Sequence, residues 1–199
     1  MKTKAERVDA FTRQHTLVRP KDLKALSVSH SHLWHLTKSG KIERIGRGLY
    51  RAKGTAVSEY ETLLEVSKKV SLGVLCLSSA LRYHELTTEN PFEIWIAIER
   101  GAWTPKMDYP PIRVVHYSKA TFEFGIQIHS VAGGKLRVYS PAKTVADCFK
   151  FRSKIGMETA IQALRSCFRE KKASIDDLWS AAKVCRVANV MRPYMESLV

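Results

Sequence analysis

The chain has 199 residues, 45% of them hydrophobic, with 33 Lys+Arg against 19 Asp+Glu and a formal net charge of +14. The composition is globular, and no apolar run approaches the ~18 residues of a membrane-spanning helix. Cys76, Cys148, Cys167 and Cys185 are widely spaced and form no CxxC pair, which argues against a disulfide or zinc framework.

Residues 1–54 hold 13 Lys+Arg against 4 Asp+Glu, a balance of +9, while residues 55–199 hold 20 against 15, a balance of +5. A compact basic module suits a polyanionic partner, nucleic acid or an anionic membrane. A merely soluble basic surface is the plainer alternative. The charged start, Lys2 to Asp9, lacks the apolar core of a secretory leader, so a cytoplasmic location is expected.

In chain order, Ala5, Val8 and Phe11 give a short helix its buried stripe. Pro20 opens a second helix with Leu23 and Leu26 inward. Ser29 is placed to cap a third helix running to about Ser39, and Gly40 stands at its left-handed end. On this helix Leu33, Leu36 and Thr37 share the inner face. Ser31, His35 and Lys38 point the opposite way, with His32, Trp34 and Ser39 on the flanks. A thin apolar stripe opposite hydrogen-bonding side chains suits a helix read into the major groove.

The stretch SGKIERIGRGLYRA, residues 39–52, predicts a hairpin. Lys41 to Ile45 and Leu49 to Lys53 are the strands, Gly46 and Gly48 make the turn, and Ile42, Ile45 and Leu49 pack inward. Lys41, Arg44, Arg47, Arg51 and Lys53 then meet solvent or phosphates. Three helices and a basic hairpin make a winged helix-turn-helix over residues 1–54, with the hairpin along the backbone and the third helix on the bases. A three-helix module that binds another protein is the alternative. His30, His32 and His35 do not converge on one helical face, which argues against a metal site.

The second domain is expected over residues 55–199. Ser58 with Glu61 forms a capping box for a joining helix. LCLSSALRYHEL (75–86) reads as a strand end and a short helix capped by Ser78. FEIWIAIER (92–100), IRVVHY (112–117), GIQIHSV (125–131) and LRVYS (136–140) read as short strands. Ser140–Pro141 starts a helix with Val145, Cys148 and Phe149 inward. Met157, Ile161, Leu164 and Phe168 mark the next. Ser174 with Asp177 caps another, and Val190 to Leu198 a last one. The fold class expected is mixed α+β: a winged helix-turn-helix, a small antiparallel or mixed sheet, and a C-terminal helical bundle.

Enzyme signatures mostly fail. AGGKL (132–136) lacks the Ser/Thr of a phosphate loop, no GxSxG is present, and Glu93 and Glu99 read as outward charges on a sheet. His84, His116 and His129 are isolated.

LWHLTKSGKIERIGRGLYRA (33–52), SSALRYHELT (78–87) and YSPAKTVADCF (139–149) followed by helices resemble the AbiEi family. These are the antitoxin and transcriptional-regulator partners of type IV abortive-infection systems, which defend against phage. The resemblance implies autorepression at inverted repeats through the first module, by a monomer or weak homodimer on DNA. It also implies a second domain that counters a nucleotidyltransferase-like toxin, not necessarily in a stable complex. Carried onto this chain it makes Ser31, His35 and Lys38 base-reading, and Arg44, Arg47 and Arg51 phosphate-contacting. It implies no cofactor, metal or catalytic residue. Thr144 and Asp147 fall in the matching segment, where local hydrogen bonds are the simpler role. A nuclease steered by the basic module, or a plain winged regulator with a ligand-binding or dimerising domain, stands as the alternative.

Overall fold

A computed structural model describes residues 8, 10–11, 18–26, 28–46, 48–53, 60–107, 109–131 and 134–198. The chain divides into two compact units: Met1–Lys69 with Ser130–Leu136, and Val70–His129 with Arg137–Val199.

In the first unit Val8, Ala10 and Phe11 are helical, and Pro20 opens a 3-10 helix, Pro20–Leu26. Helix α1 spans His30–Lys38. The Ser29 hydroxyl accepts the His32 N–H at 3.3 Å, satisfying one of the unpaired donors at the helix start. Gly40 follows the helix with φ +70°, a conformation glycine reaches without steric cost. Strands β1 (Ile42–Gly46) and β2 (Leu49–Ala52) pair antiparallel around Gly48, whose φ is +71°. Val18 adds a strand residue on the other side of β2: its N–H donates to the Tyr50 carbonyl at 2.8 Å and its carbonyl accepts from Tyr50 at 2.9 Å. Val8, Val18, Leu23, Val28, Leu33, Leu36 and Ile42 form the core, with Phe11 and Tyr50 packed on it. Helix α2, Glu61–Lys69, belongs to this unit. The Ser58 end of its expected capping box lies outside the described residues.

The second architecture is a mixed sheet with helices. Its strands are β3 (Val74–Leu75), β4 (Ile94–Glu99), β5 (Ile112–Tyr117), β6 (Ile126–Val131) and β7 (Gly134–Tyr139), in the order β5-β4-β3-β7-β6. β4 runs parallel to β5 and antiparallel to β3, and β3 runs parallel to β7. Ile94 to Ile98 are all buried, so the pattern expected to alternate is a central strand covered on both faces. Helix α3 is Leu77–Tyr83, and its N-cap position is Cys76, not Ser78. The neighbouring Ser79 hydroxyl is buried and accepts the Trp95 N–H at 2.9 Å, tying α3 to β4.

Helix α4 is the short Lys119–Glu123. Helix α5, Pro141–Lys150, starts as expected: Ser140 accepts the Lys143 N–H and Pro141 occupies the first turn. Every residue from Ala142 to Phe149 is buried. Around it lie α3, α7 (Met157–Arg169), α8 (Ile175–Val184) and α9 (Ala188–Glu196), with the short α6 (Arg152–Ile155) at its end. The inner face of α7 is Ala160, Ala163, Leu164 and Cys167, while Met157, Ile161 and Phe168 are half-buried. Small side chains let α7 approach α5 closely. Ser174 and Asp177 make the reciprocal capping box of α8.

Candidate nucleic-acid interface

Helix α1 divides cleanly. Leu33 and Leu36 are buried, and Thr37 is half-buried with its hydroxyl donating to the Leu33 carbonyl at 2.8 Å. Ser31, His32, Trp34, His35 and Lys38 are all exposed. Trp34 is 56% exposed, one of several exposed aromatic side chains among the described residues. The Lys38 ammonium sits 4.8 Å from the Trp34 ring centroid, and the His35 ring stands edge-on to Trp34 at 4.9 Å. The cation–π contact holds Lys38 over the outer face of the helix, worth roughly 0.5–1 kcal/mol at an exposed site. At the other end the Ser31 hydroxyl lies 2.8 Å from that of Ser29, so it shares the capping group.

The hairpin distributes its cations less simply. The register pairs Arg44 with Tyr50 and Glu43 with Arg51. Directly opposed residues share a face and successive residues alternate, so Arg44 and Arg51 leave opposite faces. They do not form one row. Arg51 Nη1 donates to Glu61 Oε1 at 2.7 Å, its Nε donates to Glu43, and its side chain is only 19% exposed. Its guanidinium joins β2 to β1 and α2. Lys41 and Lys53 are exposed at the open end of the hairpin, where the Lys53 N–H donates to the Lys41 carbonyl at 3.1 Å. Lys53 Nζ lies beside Gly40, next to the end of α1. Arg44 is exposed. Arg47, and the side chains of Ile45 and Leu49, lie outside the described residues.

Sequence reading does not signal a second ionic brace. Asp22, in the 3-10 helix, takes the Arg19 N–H at 2.9 Å and the Lys68 ammonium at 3.3 Å, while the Arg19 guanidinium reaches the Lys68 carbonyl. Burial alone would raise the Asp22 carboxyl. The Arg19 N–H and the Lys68 and Arg19 charges outweigh it and hold the carboxyl below its usual range. Among the described residues no three His, Cys, Asp or Glu side chains gather as a metal site. None of the described helices is long and apolar enough to cross a membrane.

An exposed, polar, aromatic-bearing helical face therefore stands on a packed core beside a strand hairpin whose base carries lysines. Residues 6–53 match the AbiEi antitoxin family of transcriptional regulators. The matched segment contains α1 and the hairpin whole, and the match stops at residue 53. That family is described as a transcriptional regulator and AbiEi antitoxin. The whole chain also superposes on the crystal structure of the RV2827C protein from Mycobacterium tuberculosis. The TM-score is 0.58 at 14% identity, over 100% of this chain and 81% of that one. At that identity the likeness is one of fold. No curated protein matches the sequence.

Proposed function

We propose that this protein is a duplex-DNA-binding repressor of its own operon and the antitoxin to a nucleotidyltransferase-like toxin. One observation carries the reading: α1 buries Leu33 and Leu36 and presents Ser31, His32, Trp34, His35 and Lys38 to solvent, within the segment that matches the AbiEi regulators. A helix lying in the major groove needs such an outward set, and its backbone neighbours supply phosphate contacts. Lys41, Arg44, Arg47 and Lys53 take that phosphate role. His35 and Lys38 take the base-reading role.

A gel-shift comparison on the inverted repeat upstream of the gene and on random duplex tests this. Lys38→Ala or His35→Ala lowers affinity for the repeat by about 1–3 kcal/mol and relaxes preference at particular base pairs. Lys41→Ala and Lys53→Ala weaken both duplexes alike. Equal losses on both duplexes for all four variants would remove base reading from α1. For the antitoxin role, co-expression with the toxin-like product of the neighbouring gene restores growth, and failure to do so leaves only the repressor.

A further inference from the structure

The carboxyl ends of β4 and β5 open into a cleft of about 340 Å³, within the range of small-molecule sites. Both strands run the same way, so both ends meet on one side of the sheet, where open α/β sheets commonly hold ligands. Arg100 follows β4, Tyr117 ends β5 and Ser118 follows it. Lys150 and Phe151 come from the end of α5, and Cys185 and Arg186 from the end of α8.

The cleft has a floor and a rim of different character. The half-buried Phe151 and Val184 line it with aromatic and apolar surface, Tyr117 and Cys185 beside them are almost wholly buried, and the Tyr117 and Phe151 rings stand edge to face at 5.4 Å. Arg100, Lys150 and Arg186 are exposed cations, and no acidic side chain lines the cleft. Among the described residues none of these three cations forms an ion pair, unlike Arg113, which reaches Glu93. The charges can be weighed. The C-terminal ends of α5 and α8 each bring roughly half a negative charge, about −1 together. Three cations exceed that by about two, close to the −1.5 to −2 charge of a phosphomonoester at neutral pH. The Ser118 and Thr121 hydroxyls stand in the wall 3.0 Å apart and hydrogen-bond each other, which leaves one O–H to donate to a ligand. Covalent chemistry is not needed and not favoured: Cys185 already donates its proton to Asp147 Oδ1 at 3.3 Å.

We propose that this cleft binds a small phosphomonoester with a flat aromatic body, a ligand of the mononucleotide class, with Arg100, Lys150 and Arg186 on the phosphate and Phe151 against the body. All of its lining residues belong to the second unit, and the proposal does not depend on the repressor reading.

Isothermal titration of the full chain with three probes tests it: AMP, inorganic phosphate and adenosine. AMP binds at least about tenfold more tightly than inorganic phosphate, and adenosine shows no saturable heat, because the body and the charge each supply part of the affinity. Arg100→Gln and Arg186→Asn each weaken AMP by about tenfold or more, the loss of one charged hydrogen bond. Asparagine is chosen because Arg186 has φ +58°, a conformation asparagine tolerates. AMP binding no tighter than phosphate would reduce the site to a loose basic surface and overturn the proposal. So would variants that bind AMP normally but lose affinity for random duplex, since the cations would then belong to a nucleic-acid surface. The wild-type comparison decides the matter even where a variant fails to fold.

Discussion

Lys143 is fully buried, and its ammonium donates to Asp147 Oδ1 at 2.6 Å and Oδ2 at 2.5 Å one helical turn on. The Tyr117 and Tyr139 rings stand 4.6 and 4.2 Å from the same ammonium, and Cys185 Sγ donates to the carboxylate. Burial pushes the Asp147 carboxyl up, and the Lys143 charge and hydrogen bond oppose it. Thr144 turns away to donate to the Tyr139 carbonyl at 3.2 Å, a local bond of the kind its position implies. A buried pair is strongly interdependent, because removing one partner strands the other charge without water. Asp147→Leu or Lys143→Met alone should therefore cost about 3–5 kcal/mol in urea unfolding, while the double variant recovers most of that loss. Additive losses would mean that each group is stabilised by the rings and the thiol instead of by its partner.

Arg51 illustrates how an element's charges are spent within the fold. Arg51→Ala leaves Glu61 half-buried without its cation, so it should lower stability by about 1–3 kcal/mol, whereas Lys41→Ala and Lys53→Ala stay within about 0.5 kcal/mol. Thermal melts of the three variants separate a brace from exposed cations. Helix ends offer a gain in the other direction. Lys171 follows α7 with φ +52°, its N–H donating to Phe168 and the next N–H to Cys167, a helix end that usually carries glycine. Lys171→Gly should stabilise by about 0.5–1 kcal/mol, and no rise in Tm would mean that its unfolded-chain entropy cancels the strain. Local features such as these were legible: Ser29, Ser140 and Ser174 caps, Gly40 and the hairpin follow from neighbours a few residues apart. The Val18–Tyr50 bridge, the Arg51–Glu61 pair and a sheet whose central β3 has two residues were not, because each depends on partners distant in sequence. The α1 face was legible by helical periodicity. The split of Arg44 from Arg51 required the strand register.

For the whole molecule, charge and thiols report on different units. Cys76, Cys148, Cys167 and Cys185 are all free and buried in the second unit. Burial pushes the Cys185 thiol up to about 12 and the Cys167 thiol up to about 11, and raises Cys76 and Cys148 too. At pH 8 the thiolate fraction is then on the order of 10⁻⁴ at Cys185 and 10⁻³ at Cys167. Native protein should show no fast reaction with an aromatic disulfide reagent, and all four thiols should react once guanidinium unfolds the unit. The excess charge of residues 1–54 bears instead on the proposed DNA complex. Lys41, Arg44, Arg47 and Lys53 each neutralise one phosphate in the proposed complex, so log K should fall with log salt at a slope of about −3.6. Arg51 is left out of that count because Glu43 and Glu61 hold it. Arg51→Ala should then leave the slope unchanged, while Lys53→Ala reduces its magnitude by about 0.9. A slope reduced equally by both substitutions would mean that Arg51 exchanges its carboxylates for phosphate on binding, and that the brace opens when DNA arrives.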